Sequence, residues 1–341
     1  MKRSRRNDKS FSLFLIGIFM IGTLYGCGDD QNNTAGSAGP AVGFVVTSGS
    51  GVGNLTTLTS TSPRATEKSV LGATGLHSDA VIKSFAGRLY IIQRLGSNSI
   101  VVLDPNNPSV PLANYTTNDL GSSVQSNPHD MAFVSTSKAY ISRYSLNTLL
   151  IVNPETGAQL GTVDLSVFAD SDGIVEMDQM VLRNGLLYVS LQRLNRNNLF
   201  IAENDSYIVV IDTATDQVVN LGTDNKIVLD GRNPFSMTYL ASSDLIYVAN
   251  VGTFSTADDF GGIEVIDPKK SGLSDGLLIT DDEFGGPLGT IAISSESVAY
   301  ATVFDARFNN FIAPFRLDTQ QIAPALTGIG SGFIPSLAFD N

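Results

Sequence analysis

The chain has 341 residues, with 33 acidic and 21 basic side chains, one Cys, two His and no Trp. Hydrophobic residues make up 43% and charged residues 16%, so the chain folds around a sizeable core rather than staying disordered. The single Cys excludes an internal disulfide, a Cys-built zinc site and C-x-x-C-H haem attachment, and the two His exclude a His-rich metal centre. The net charge of −12 speaks against nucleic-acid or anionic-membrane binding.

The first segment is an export signal. Lys2, Arg3, Arg5, Arg6 and Lys9 precede an apolar run of 14 residues from Phe11 to Leu24, too short to span a bilayer but suited to a signal-peptide core. The run ends in Leu24-Tyr25-Gly26-Cys27, which holds the only cysteine of the chain. These residues resemble the lipobox of bacterial lipoproteins, with Leu three positions before the Cys and a small residue just before it; Tyr25 stands where a smaller residue is usual. The resemblance implies a signal peptide at 1–26, lipid on Cys27, and a tether at 27–41 ahead of a folded domain at 42–341. Gly28, where an Asp would favour inner-membrane retention, implies an outer-membrane anchor facing the periplasm or the cell surface. Asp29 to Ala41 is mostly Asp, Gln, Asn, Gly, Ser and Ala, as in a flexible tether. Loss of residues 1–26 leaves 16 basic and 32 acidic side chains, a net −16.

The remainder reads as short β-branched and aromatic runs between Gly, Asn, Asp, Pro and Ser, the pattern of an all-β protein. One strand recurs as Leu89-Tyr90-Ile91-Ile92, Ala139-Tyr140-Ile141-Ser142, Leu187-Tyr188-Val189-Ser190, Ile246-Tyr247-Val248-Ala249 and Ala299-Tyr300-Ala301-Thr302, with tyrosines 50, 48, 59 and 53 residues apart. A second strand follows each, ending at Asp104, Asn153, Asp212, Asp267 and Asp318. An earlier strand opens the unit, as in Pro128-His129-Asp130-Met131 and Pro234-Phe235-Ser236-Met237. Four strands in about fifty residues is the signature of a β-propeller blade.

Asn233-Pro234, Ile246-Tyr247-Val248-Ala249-Asn250 and Val265-Ile266-Asp267-Pro268 together resemble the YVTN-type, surface-layer-like propeller repeat. Ile208-Val209-Val210-Ile211-Asp212-Thr213 fits its second half, and the likeness runs over about 80–320. WD40, kelch and Trp-docked quinone propellers depend on a repeated Trp that this chain lacks. Five blades span about Asp79 to Gly332. The end, Ile334-Pro335-Ser336-Leu337-Ala338-Phe339, matches a first strand, while Gly43–Thr47 and Leu55–Thr59 match the second and third strands. The expected fold is therefore a six-bladed propeller of four-stranded blades, its last blade closed by N- and C-terminal strands, in a monomeric domain.

Ligands of such a fold meet the loops between second and third strands and between blades. The long loops at 194–206 and 251–262 and their neighbours hold Asp170, Asp172, Glu176, Asp178, Glu203, Asp205, Asp258, Asp259, Asp281, Asp282 and Glu283. Asp170-Ser171-Asp172-Gly173 with Glu176 is the candidate Ca²⁺ site, although it lacks the full D-x-D-x-D-G spacing; the alternative is a solvated acidic loop set. His129 and Asp130 are expected at the channel mouth, with Arg143 and Arg193 on the same rim. These acidic loops suit an envelope protein or small ligand, and the expected role is a binding or scaffolding lipoprotein. Propellers with similar repeats include lactonases, and gluconolactonase-like ones use a carboxylate/Asn metal site. That resemblance implies an alternative, a hydrolase with a metal near Glu176, Asp178, Asn233 and Asn250. No catalytic motif matches residue by residue, and no G-x-S-x-G elbow or phosphate-binding loop is present.

Overall fold

The computed structural model describes residues 43–49, 52–58, 66–69 and 76–327, apart from 222–224, 255, 271–273, 306 and 308, together with Ile334, Ser336 and Leu337. The expected signal peptide, the expected lipidation site Cys27 and the expected tether lie outside the described residues. An N-terminal sheet comprises β1 (Gly43–Gly49), β2 (Val52–Leu58), β3 (Thr66–Ser69) and β4 (Leu76–His77). Blade one follows with β5 (Ala80–Phe85), β6 (Arg88–Gln93), β7 (Ser99–Asp104) and β8 (Asn107–Thr116). Blade two has β9 (Pro128–Ser135), β10 (Lys138–Arg143), β11 (Thr148–Val152) and β12 (Gln159–Asp164). Blade three has β13 (Met177–Arg183), β14 (Leu186–Leu191), β15 (Tyr207–Asp212) and a split outer edge, β16 (Gln217–Val218) and β17 (Ile227–Val228), both on β15. Blade four has β18 (Pro234–Leu240), β19 (Leu245–Asn250), β20 (Gly262–Ile266) and β21 (Ser274–Thr280). A short helix, α1 (Asp281–Phe284), leads to blade five: β22 (Leu288–Ser295), β23 (Val298–Phe304) and β24 (Asn310–Phe315), with an outer bridge from Phe315 to Ile322.

Each blade is an antiparallel meander in which consecutive strands pair, as local hairpin connections favour. The middle strands are apolar on both faces because a neighbouring sheet covers each side. Leu89, Tyr90, Ile91, Ile92 and Gln93 are all buried in β6, and Leu245–Asn250 repeats the pattern in blade four. The core is accordingly divided into five apolar clusters, one between each pair of successive sheets. Four of the recurring tyrosines sit in these seams: Tyr90 of blade one meets Phe133 of blade two at 4.6 Å, and Tyr140 of blade two donates to Asp216 of blade three. Tyr188 and Tyr247 are buried in the next two seams.

The expected sixth blade is corrected: the propeller has five blades. The N-terminal strands pack on blade one through Phe44, Val46 and Leu55 against Ile82, Leu89 and Ile91. Their sheet is only three strands wide, because β3 and β4 share one edge of β2 while β1 takes the other. The first strand expected at 334–339 does not form among the described residues, since Ile334, Ser336 and Leu337 lie outside any strand. Ile334 is nonetheless buried, and its N–H donates to Asn310 Oδ1 at 2.5 Å.

Candidate functional site

One backbone hydrogen bond recurs in every blade and sets the inner wall. The carbonyls of Asp79, Asn127, Glu176, Asn233 and Pro287 accept from the N–H groups of Arg94, Tyr144, Gln192, Val251 and Phe304, at 2.8 to 3.1 Å. Val81, His129, Asp178, Phe235 and Gly289 therefore occupy equivalent positions two residues further on. Asn127, Glu176 and Asn233 take left-handed backbone at φ 48°, 45° and 57°. Asn tolerates that region, whereas Glu does so at a cost. Behind this wall a second element repeats. The hydroxyls of Ser142, Ser190 and Thr302 accept from the N–H groups of Asp130, Gln179 and Thr290 at 2.8, 2.9 and 2.8 Å, covering donors released by the bulge in each first strand.

These inner residues enclose an axial cavity of about 260 Å³. Its charged and amide lining comes from Lys83, Arg94, His129, Asp130, Asp178, Gln179, Gln192 and Asn233. Its apolar lining comes from Val81, Ile82, Leu194, Leu199, Phe200, Phe235 and Phe254, with Ser236, Thr290 and Ser336 beside them. Tyr144 lines it as well, stacked flat on His129 with ring centroids 4.2 Å apart. His129 Nδ1 lies 3.0 Å from Asp178 Oδ1; because a carboxylate only accepts, Nδ1 carries the proton of this bond, and Nε2 is the acceptor of the neutral ring. Asp178 Oδ2 accepts from Gln192 Nε2 at 2.7 Å, and Gln192 Oε1 accepts from the Tyr144 hydroxyl at 3.0 Å. Burial, reinforced by Asp178 and Glu176, pushes the Tyr144 phenol far above its usual range.

Four of the sequence candidates, His129, Asp130, Asp178 and Asn233, meet in this cavity. The others do not line it. Arg143 is fully buried and donates to Thr148 O at 2.8 Å, Thr117 O at 3.3 Å and Asp119 at 2.6 Å, so it pins loops rather than facing the mouth. Arg193 stacks over Tyr207 at 4.1 Å and donates to Phe168 O at 3.0 Å. Asn250 donates to Glu264 at 2.8 Å, and Glu264 also accepts from the N–H groups of Asp230 and Gly231 at 2.8 and 3.0 Å. Glu176 is buried against Arg196, whose side chain also donates to Tyr144 O at 2.8 Å; burial, opposed by Arg196, pushes the Glu176 carboxyl up to about 7.

The oxygens of the candidate Ca²⁺ residues are committed to protein donors. Asp170 accepts from Asn204 at 2.6 Å and from Asp172 N at 3.0 Å, and Asp172 accepts from the N–H groups of Arg196 and Ile174 at 2.8 and 3.0 Å. Among the described residues no group of three or more His, Cys, Asp or Glu side chains is arranged to hold a metal ion. Lys83, Tyr144, Gln179, Gln192, Phe200, Phe235, Phe254, Thr290 and Ser336 are lining residues that the sequence reading did not select. Alignment of the repeats on their first strands would have placed Asp178 and Phe235 beside His129.

No protein-family model matches the chain, and no curated protein matches it. Solved structures do. Virginiamycin B lyase from Staphylococcus aureus aligns with a TM-score of 0.57 at 10% identity, over 92% of this chain and 85% of that one. A streptogramin B lyase gives 0.57 at 12% identity, over 91% and 83%. Hydrazine synthase of Kuenenia stuttgartiensis gives 0.56 at 14% identity, over 91% and 80%. At these identities the likeness shows the fold, an all-β propeller with four-stranded blades. Among the described residues no helix is long and apolar enough to cross a membrane.

Proposed function

We propose that the protein is an exported, lipid-anchored propeller of the bacterial outer membrane that binds a small ligand in its axial cavity. The observation that carries the binding role is the cavity, about 260 Å³ and lined both by charged and amide groups and by leucines and phenylalanines. An apolar pocket with a few convergent polar groups is how small-molecule sites are generally built. The anchor rests on Leu24-Tyr25-Gly26-Cys27 at the end of the apolar run. Cys27→Ala should abolish palmitate incorporation and release the protein from the membrane fraction; retention of label would refute the anchor. For the cavity, a thermal-shift fragment screen should return compounds whose stabilisation disappears in Phe235→Ala and persists in Glu203→Gln on an outer loop. Hits indifferent to Phe235→Ala would refute the cavity as the ligand site.

A hydrolase is the second reading, favoured by one observation. Asp178 orients His129 at 3.0 Å and leaves Nε2 as a base within the cavity. Lyases among proteins of similar fold make an elimination the related possibility. Turnover of a lactone or ester panel that is lost in His129→Gln would establish this reading. Equal rates in the variant would remove it.

A further inference from the structure

We infer that the loops of blades one, two and three on the side of the cavity mouth form a docking surface for another protein, engaged through a segment that presents apolar side chains beside Lys or Arg. In every blade the loop between second and third strands and the connection from the preceding blade open on this side, because the second strand ends and the first begins there. Thirteen large apolar side chains are exposed among the described residues, and seven of them lie on four of these loops. Leu95 is on the loop between β6 and β7, Leu120 and Val124 are on the connection to blade two, and Val167 is on the connection to blade three. Leu199, Phe200 and Ile201 form the tip of the loop between β14 and β15. Leu120, Val167 and Leu199 are 80%, 81% and 90% exposed. The corresponding loops of blades four and five carry no such side chain among the described residues, so the apolar surface is confined to one side of the ring. Scattered apolar residues on a surface are ordinary, whereas a set gathered in one region marks an interaction site. Of this set Leu199 and Phe200 also line the cavity, but the surface needs no ligand there.

Hydrogen bonds between the loops hold this surface in one piece. Asn98 O accepts from Thr117 N at 2.9 Å, and the buried Arg143 reaches Thr117 O at 3.3 Å and Asp119 at 2.6 Å. Asn147 O accepts from Leu165 N at 2.8 Å, and Asn147 Nδ2 donates to Gly173 O at 2.7 Å. Phe168 O accepts from Arg193 Nε at 3.0 Å, and Asp170 accepts from Asn204 at 2.6 Å. A surface braced in this way loses little freedom on binding. Its charge indicates what fits it. Asp119 adjoins Leu120, and Glu203 and Asp205 follow Ile201; all three are exposed, while no Lys or Arg on these loops is exposed among the described residues. Arg94, Arg193 and Arg196 are half-buried against Asp79, Tyr207 and Glu176. A second copy of the chain would bring the same carboxylates and a further net −12. Membrane-surface sites are generally rich in Lys and Arg, which this one lacks. A partner segment with Lys or Arg flanking apolar side chains satisfies both the apolar and the anionic groups.

Fluorescence anisotropy with labelled model helices tests this on the full chain carrying Cys27→Ala, which removes the expected lipid and the need for detergent. A short amphipathic helix of Leu and Lys should bind, and the same helix with Glu for Lys should bind about tenfold or more weakly. Leu120→Ser with Leu199→Ser should weaken the Leu/Lys helix about tenfold or more, because each leucine gives up apolar contact with it. Val110→Ser with Leu112→Ser, another exposed apolar pair on the outer strand β8, should leave the affinity unchanged. Glu203→Gln with Asp205→Asn should weaken binding and flatten its dependence on salt. No binding of the Leu/Lys helix, equal binding of the Glu helix, or an equal loss in the β8 pair would overturn the docking surface while leaving the cavity a ligand site. Sedimentation as a dimer, or flotation with phosphatidylcholine vesicles, would overturn it too if Leu120→Ser with Leu199→Ser abolished either, since the surface would then belong to a second copy or to lipid.

Discussion

Asp130 ties three blades together, so its removal should be among the most damaging single changes in the chain. Its Oδ1 accepts from the N–H of Met131 at 2.7 Å, its Oδ2 accepts from the N–H of Met180 in blade three at 2.8 Å, and Lys83 of blade one forms an ion pair with it. Its side chain is 3% exposed and that of Lys83 18%. Asp130→Ala would remove the carboxylate paired with a largely buried ammonium and leave a buried inter-blade N–H without its acceptor. Breaking a buried pair from one side costs about 3–5 kcal/mol, and a bare N–H about 1–3 kcal/mol. Because both losses stem from one carboxylate and overlap, the expected total is about 4 kcal/mol. At about 2 °C per kcal/mol for a chain of this size, the melting temperature should fall by roughly 8 °C. Blade four shows a milder solution, in which Ser236 Oγ at the equivalent position accepts from the N–H of Ile291 at 3.2 Å. Asp130→Ser should therefore recover part of the loss, and Lys83→Met with Asp130→Ser most of it, as the ammonium that faced the lost carboxylate is then gone. Urea and thermal unfolding of the four proteins provide the comparison. An Asp130→Ala variant melting within about 2 °C of the wild type would refute the bridge, since a change of that size lies within ordinary surface effects.

Three further outcomes are expected. Burial holds the Glu176 carboxyl at about 7, so between the unfolded value and that pH the native state binds the extra proton; the stability this contributes is full below about pH 4 and is lost as pH rises through 7. Wild type should lose on the order of 1–3 kcal/mol relative to Glu176→Gln between pH 5 and 8, and parallel unfolding curves at the two pH values would contradict this. Arg143→Ala should cost about 3 kcal/mol by stranding the carbonyls of Thr117 and Thr148, while ligand affinity measured below the transition stays unchanged; a selective loss of affinity would return Arg143 to the site. Deleting 334–341 should lower the melting temperature by several degrees, because Ile334 is buried and bonded to Asn310, whereas an unchanged value would show that this contact contributes nothing.

The blade repeat was legible because it is a backbone requirement. Each seam needs a large apolar side chain at the same strand position, so Tyr90, Tyr140, Tyr188 and Tyr247 mark it in the sequence and are buried in the structure. The site was half legible for a related reason. His129 and Asp178 stand at equivalent places in their blades and meet at 3.0 Å. Arg143 and Arg193 were expected on the rim, but the recurring backbone bond aligns Arg94 with Tyr144 and Gln192. Arg143 therefore lies one residue before the lining position and Arg193 one after it. In extended chain a one-residue slip turns a side chain to the opposite face, which is why both miss the cavity. The blade count failed at the termini, where β4 returns to β2 and occupies an edge that the sequence pattern had left open.

The same repeat explains how a ring of similar blades acquires an asymmetric interior. The bond between first and second strands uses only backbone atoms, so the inward position two residues on is free to be Val81, His129, Asp178, Phe235 or Gly289. Blades two and three make that position polar and blade four makes it aromatic, while blade five has no side chain there. The glycine is needed because the space is already filled. A Cβ at Gly289 would lie 2.5 Å from Thr302 Oγ1 and 3.1 Å from the Phe304 ring. That hydroxyl accepts from the N–H of Thr290 at 2.8 Å, and Phe304 packs edge-on against Phe254 of the apolar lining at 5.7 Å. Gly289→Ala must displace one or both. Losing the buried acceptor should cost about 1–3 kcal/mol, and displacement of Phe304 should carry Phe254 into the cavity and weaken any ligand that contacts it. Adding Phe304→Leu should restore affinity but not stability if the ring transmits the effect, because the Thr302 bond stays broken. A Gly289→Ala protein with wild-type melting and wild-type affinity would mean that blade five has room to spare, and the make-up of the lining would then owe nothing to this glycine.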